Sequence, residues 1–319
     1  ISASSRQCLS NSQSCFAYWL LPPQVSSNPL LVYYQIKNIF YHICWNNVYY
    51  ITQLTQNFTT ARLHFGLRVP YGGVSRIVGG QEADRAEFPH QVTLQWGNAP
   101  FLNHLCGGSI LSHQWVLTAG HCPLAVTGRT LYVKAGKHSM KTTEKTEQLS
   151  KVSAIFIHDK YPGNVAPYDI ALLKLEKPLV YDESVQPIAL PKASSDVDGE
   201  VVLSGWGSVS SSGMGTPDIL QKVKLPVVDL ATCKEALERL VGPSPLHESN
   251  VCTGPLTGGV SACSGDSGGP LIKVLGNGKP EVIGVVSWGI IPCGTTGAPS
   301  VYTRVSSYID WINDIIAKN

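Results

Sequence analysis

Past residue 76 the chain reads as short runs of apolar or alternating positions cut by turn-forming residues. The runs fall at 91–96, 131–134, 170–175, 201–203, 223–228, 282–286 and 300–305, and clusters of Gly, Pro, Ser and Asn separate them. Period two over four to eight residues predicts strands, and those clusters predict the turns between them. Only 231–240 and 307–317 carry helical spacing. In the second, Ile309, Ile312, Ile315 and Ile316 fall on one stripe after a Ser start, which predicts a docked terminal helix. Strands without intervening helices build antiparallel sheet, so the pattern predicts an all-β sandwich or barrel. The most apolar stretch, 30–51, is interrupted by Gln35, Lys37, Asn38, His42, Asn46 and Asn47, and does not read as a membrane span.

The texture changes abruptly near Arg76. Residues 1–75 hold seven of the thirteen Tyr and six Asn, with no Asp or Glu and no clean period. A regulatory pro-domain, a binding module, a folded partner domain and a poorly structured leader, which untranslated or intronic sequence read in frame would also give, all fit that composition. Cys8, Cys15 and Cys44 are an odd set, which speaks against a self-contained disulfide module. The sequon Asn57-Phe58-Thr59 has meaning only if the chain is exported. The chain begins at Ile1, so the lack of a Met-initiated signal peptide says nothing about export. Net charge is +2, but residues 77–319 hold 19 basic against 22 acidic groups and offer no basic face for a nucleic acid.

The sharpest chemical signal is Gly265-Asp266-Ser267-Gly268-Gly269-Pro270. A Ser among glycines sits on a tight turn where backbone N–H groups approach a developing oxyanion. The bare pattern also fits the nucleophile elbow of the α/β-hydrolases, whose His follows the Ser. All nine His precede Ser267, and the helices of a parallel sheet are missing, so that reading fails. His121 follows an apolar strand in Trp115-Val116-Leu117-Thr118-Ala119-Gly120-His121-Cys122. Asp169 stands at the mouth of another in Tyr168-Asp169-Ile170-Ala171-Leu172-Leu173. A carboxylate buried there needs a dedicated partner, because an unpaired one costs several kcal/mol.

These blocks occur in the order His, Asp, Ser. With them stand Ile77-Val78-Gly79-Gly80 after Arg76, Cys106-Gly107-Gly108-Ser109, Ser204-Gly205-Trp206-Gly207 and Ser287-Trp288-Gly289. Together they resemble the chymotrypsin-like serine proteases, and in texture are most similar to invertebrate digestive chymotrypsins. The resemblance covers 77–319. It implies two antiparallel six-stranded barrels, roughly 77–190 and 191–305, and a C-terminal helix at 307–317, with residues 1–76 as a leader.

The resemblance implies Ser267 as nucleophile, His121 as general base and acid, and Asp169 as the group that orients the imidazole. The N–H groups of Gly265 and Ser267 would form the oxyanion hole, and Ser287 would support Asp169. Ser287, Trp288 and Gly289 would pair with substrate backbone. Ser261, Gly289 and Ser300 would form the base and walls of the specificity pocket, with Ser300 making it shallow. Neutral Ser261 favours large apolar or aromatic side chains, with an elastase-like preference second. Cleavage at Arg76–Ile77 by an activating trypsin-like protease would free an amine to pair with Asp266. The implied disulfides are Cys106–Cys122, Cys233–Cys252 and Cys263–Cys293, in a secreted monomer of the extracellular medium or gut lumen that meets protein substrates and protein inhibitors. No cofactor is implied. Relatives that hold Ca²⁺ use acidic residues in the loop matching 137–147; Lys137 opens it here, and a Lys137–Glu147 bridge stands in for the ion. The alternative from another class is a catalytically inactive homologue that binds partners through the same scaffold.

Overall fold

The computed structural model describes residues 79–213 and 215–319. The leader at 1–76, the Arg76–Ile77 junction and Cys8, Cys15 and Cys44 lie outside the described residues. Thirteen strands carry the fold: β1 Gln81–Glu82, β2 Gln91–Asn98, β3 Phe101–Ile110, β4 Trp115–Thr118, β5 Leu131–Ala135, β6 Gln148–Ile157, β7 Ala171–Leu175, β8 Glu200–Gly205, β9 Gln221–Val228, β10 Asn250–Thr253, β11 Pro270–Val274, β12 Pro280–Gly289 and β13 Ser300–Arg304. Every pairing between them is antiparallel.

Strands β2-β3-β4-β7-β6-β5 close into one six-stranded barrel. The order β8-β9-β10-β13-β12-β11 closes into a second through the β8–β11 and β8–β9 pairings, with β1 added along β9. The expected pair of six-stranded barrels is therefore present. Alternation does the local work: in β5, Leu131, Val133 and Ala135 are buried while Tyr132 and Lys134 are half-buried. Helix α1 is one turn at His121–Leu124 and α2 spans Leu230–Val241. Asp229 caps α2 by accepting from Thr232 N at 2.9 Å.

Helix α3, Ile309–Lys318, buries Ile312, and Ile309, Trp311, Ile315 and Ile316 pack on the cluster that holds Ile110, Leu117 and Leu172. The Ser start predicted for it is displaced. Residues Val305–Ser307 form a 3₁₀ turn, Tyr308 is the N-cap, and Ser307 Oγ accepts from Arg304 Nε at 3.0 Å. Three disulfides join Cys106–Cys122, Cys233–Cys252 and Cys263–Cys293, at separations of 16, 19 and 30 residues. Closing a loop of about 15 residues is worth about 3 kcal/mol in the chain-entropy account.

Candidate active site

Fully buried β4 carries the chain to Gly120, where a Cβ would lie 2.9 Å from the Tyr161 ring. The next residue is His121, and the Cys106–Cys122 bridge ties its neighbour to β3. Asp169, 2 % exposed, holds His121 twice: the His121 backbone N donates to Oδ1 at 2.9 Å and Nδ1 lies 2.8 Å from Oδ2. A carboxylate accepts only, so Nδ1 carries the proton and the Nε2 lone pair is left as a base. Nε2 lies 3.7 Å from the Cys122 sulfur. Among the described residues no hydrogen bond joins it to Ser267.

The second barrel completes the acid's surroundings. Ser287 Oγ donates to Asp169 Oδ2 at 2.5 Å, and Thr303 Oγ1 to the Asp169 carbonyl at 2.7 Å. Ser287 sits where β12 slips register against β13, and such a bulge re-aims a side chain. Three donors thus replace the water that burial removed from this carboxylate.

The Ser267 turn needs its glycines. Gly265 and Gly268 have φ of +100° and +73°, and a Cβ on Gly268 would sit 2.2 Å from Thr118 Oγ1. The turn is fixed by Gly107 N donating to the Ser267 carbonyl and Gly268 N to that of Val286, both at 2.8 Å. Among the described residues the N–H groups of Gly265 and Ser267 donate to no protein acceptor. The Gly265 carbonyl accepts from His104 Nε2 at 3.0 Å, and His104 Nδ1 lies 2.7 Å from Thr93 Oγ1. Burial lowers the His104 pKa, so the ring is neutral and spans both partners, donating to Gly265 and accepting from Thr93.

Asp266 is fully buried and accepts from Gly207 N at 2.8 Å and Cys263 N at 3.0 Å. Burial pushes its carboxyl up to about 6, against the lowering effect of those two bonds. Among the described residues no cation faces it. A Cβ on Gly205 or Gly207 would lie 2.2 Å from the carboxylate, which explains the glycines on either side of Trp206.

Beside Ser267 a cavity of about 120 Å³ is lined by Ala262–Ser264, Val286–Ile291 and Cys293, with no acidic residue. Ser261 and Ser300 are buried outside that lining. Ser300 Oγ accepts from Ala262 N at 3.2 Å, and Ser261 Oγ has no partner. Gly289 is open: a Cβ there would meet nothing within 4 Å. Strand β12 pairs with β11 only as far as Val285, so Ser287–Gly289 keep one strand edge free.

Sequence reasoning passed over His104, Thr93, Thr303 and Tyr161. Their roles depend on contacts up to 161 residues apart, and only the adjacency of His104 to Cys106-Gly107-Gly108 hinted at one of them.

The 137–147 loop closes on an ammonium. Lys137 Nζ donates to Glu147 Oε1 at 2.5 Å and to the Thr142 carbonyl at 2.6 Å, while Lys134 reaches Glu147 Oε2 at 3.1 Å. Burial alone would raise the carboxyls of Glu144 and Glu147. Bonds from His138 N, Ser139 N and Arg85 on the first, and from Lys137, Glu144 N and Lys134 on the second, hold both below the usual range. Lys137→Met should cost about 1.5–3 kcal/mol in chemical denaturation, the scale of losing a hydrogen bond to a charged group, because Lys134 and Glu144 N still hold Glu147. Calcium and chelator should leave the wild-type melting temperature unchanged; a calcium-dependent rise would refute the lysine as closing group.

The chain matches the family described as Trypsin over residues 77–312. It is 39 % identical to Trypsin-1 of Astacus astacus over 239 residues, 74 % of this chain and 98 % of that protein. Similarity to Trypsin II-P29 of Gallus gallus is 38 % over 242 residues, covering 76 % and 90 % of the two chains. For Trypsin of Sus scrofa it is 36 % over 244 residues, 76 % and 97 %.

Proposed function

The chain belongs to the trypsin family of serine proteases, and from that premise we propose a precursor cut at Arg76–Ile77 to give an endopeptidase that cleaves after large apolar side chains. The observation that carries the catalytic reading is the double grip of Asp169 on His121. With Nδ1–H committed to the carboxylate, Nε2 takes the Ser267 proton as Oγ attacks the scissile carbonyl, and later gives it to the leaving amine. Asp169 stabilises the imidazolium formed between those steps. The uncommitted N–H groups of Gly265 and Ser267 receive the oxyanion, where one donor is worth about 2.7–4 kcal/mol. The unpaired edge of Ser287–Gly289 takes the substrate backbone as an added strand, with Trp288 beside it.

The pocket supports the specificity. A substrate Lys or Arg needs a buried counter-charge, and neither the cavity lining nor Ser261 and Ser300 behind it supplies one. Its apolar lining, with Val286, Trp288, Ile290 and Ile291, favours large apolar side chains of the Leu, Met, Phe or Tyr kind. Open Gly289 argues against an elastase-like wall. An enzyme that rejects Arg does not cut after its own Arg76, which assigns activation to a separate trypsin-like protease. The three disulfides support secretion into an oxidising medium; the reading adds a monomer, in a medium such as a gut lumen, that meets protein substrates and protein inhibitors.

The test is to treat the full chain with trypsin, inhibit the trypsin, and compare peptide amides ending in Leu, Phe, Ala and Arg. Cleavage after Leu or Phe that appears only with Ile77 as the new terminus is the expected result. Preference for Arg would overturn the pocket reading, preference for Ala would favour the elastase-like one, and silence toward all four would favour a partner-binding homologue.

A further inference from the structure

Tyr168, immediately before Asp169, has φ +67°, a conformation that a bulky L side chain rarely holds. Such strain persists only where the surroundings over-determine it, and it concentrates where geometry matters for function. Here the surroundings are aromatic. The Tyr168 ring lies 5.0 Å from His158, 5.7 Å from His247 and 6.1 Å from Tyr308, with the Lys160 ammonium 5.6 Å over its face. His158 is itself held by Tyr308 at 5.4 Å and Trp311 at 5.1 Å. Tyr308 Oη donates to Ser249 Oγ at 2.8 Å, and Ser249 Oγ lies 2.9 Å from His247 Nδ1. Three separate stretches of chain thus converge on one ring: the turn after β6, the segment before β10, and the start of α3.

We propose that this aromatic clamp makes Tyr168 a positioning residue for Asp169. The left-handed conformation of Tyr168 sets the direction in which the chain enters Asp169, and Ile170 N, donating to the Tyr168 carbonyl at 2.8 Å, closes a three-residue turn centred on Asp169. Asp169 needs that direction to be narrow. Its two oxygens must reach the His121 N–H and Nδ1 together, so a small rotation keeps one bond and loses the other. Tyr168 touches no reacting atom; it acts through Asp169, and the inference rests on the reading of Asp169 as the acid that orients His121.

The test uses the activated full chain carrying Tyr168→Phe, Tyr168→Asn, Tyr168→Ala or Asp169→Asn, with kcat, KM and melting temperature measured for each. Phe keeps the ring and should keep kcat. Ala has neither a ring to clamp nor ease in the left-handed region, and should lose about 10–100-fold in kcat with KM little changed, the scale of a small misplacement at the chemistry. Asn has no ring but tolerates that region, so it should recover most of the loss. If Asn is as poor as Ala at matched melting temperature, ring packing rather than backbone direction matters and the proposal falls. It falls equally if Ala matches Phe while Asp169→Asn collapses kcat. If Asp169→Asn itself keeps full activity, it is the underlying reading of the acid that fails.

Discussion

Ser267→Ala is expected to lower kcat toward a peptide amide by about 10⁶-fold, and His121→Ala added to it should lower it little further. On the proposed mechanism neither group works alone. Ser267 Oγ is a poor nucleophile until a base removes its proton, and the Nε2 lone pair of His121 has no other chemistry to perform. Removing either stops the same step, so their losses do not multiply, and residual turnover rests on oxyanion donation and binding alone. The measurement is hydrolysis by the activated chain at known protein concentration, with a covalent serine reagent added to silence any wild-type contaminant, which Ser267→Ala itself cannot bind. Retention of more than about a hundredth of wild-type kcat by Ser267→Ala would remove this serine from the mechanism.

The second large effect concerns Asp266 and has a definite sign in pH. In the uncut chain the Ile77 nitrogen is an amide and carries no charge to offset the buried carboxylate. The carboxyl's rise from 3.8 to about 6 on burial is worth about 3 kcal/mol at 1.36 kcal/mol per pH unit. Between those values the unfolded chain has released the proton that the folded chain still holds. Stability of the uncut chain therefore falls as pH rises from about 4 to about 6 and stays low above. Asp266→Asn should abolish that fall and stabilise the uncut chain at pH 8 by a similar amount, yet leave the cut chain inactive because nothing anchors the new terminus. Denaturant titrations of cut and uncut chains at pH 4, 6 and 8 test this directly. An identical fall with pH in the cut wild type would show that the Ile77 amine never reaches Asp266.

Much of the architecture was legible because polar and apolar residues alternate in β2, β5 and β9; in β5 and β9 burial follows that alternation, while in β2 Gln91, Thr93 and Gln95 are buried beside Val92 and Leu94. Strands β3, β6, β10 and β11 were not read. Gly107 and Gly108 interrupt β3, β6 buries only Ser150 among ten residues, β10 has four residues, and β11 begins at a proline that closes a glycine turn. Their pairing is a property of barrel closure and leaves little local trace. In the site, His121, Asp169 and Ser267 stood out because each sits in a distinctive block and their order excludes the rival hydrolase pattern. What holds those blocks was invisible. His104 reaches Gly265 across 161 residues, and Tyr168 carries a backbone strain that no residue type announces.

Closure of both barrels also bears on how the enzyme survives its own company. A protease of this kind reads its victims as extended, unpaired backbone, and a closed ring offers almost none of it. On the proposed function, the free strand edge at Ser287–Gly289 takes the victim's strand, so even that stretch would be covered during turnover. Among the described residues, attack by one molecule on another would fall on the connecting loops. Several of these lie inside disulfide rings: Cys233–Cys252 encloses the segment between α2 and β10, and Cys263–Cys293 encloses both the nucleophile turn and the β11–β12 hairpin. A nick there would leave the two pieces tethered by the disulfide, so the first cut inside either ring would not by itself separate the chain.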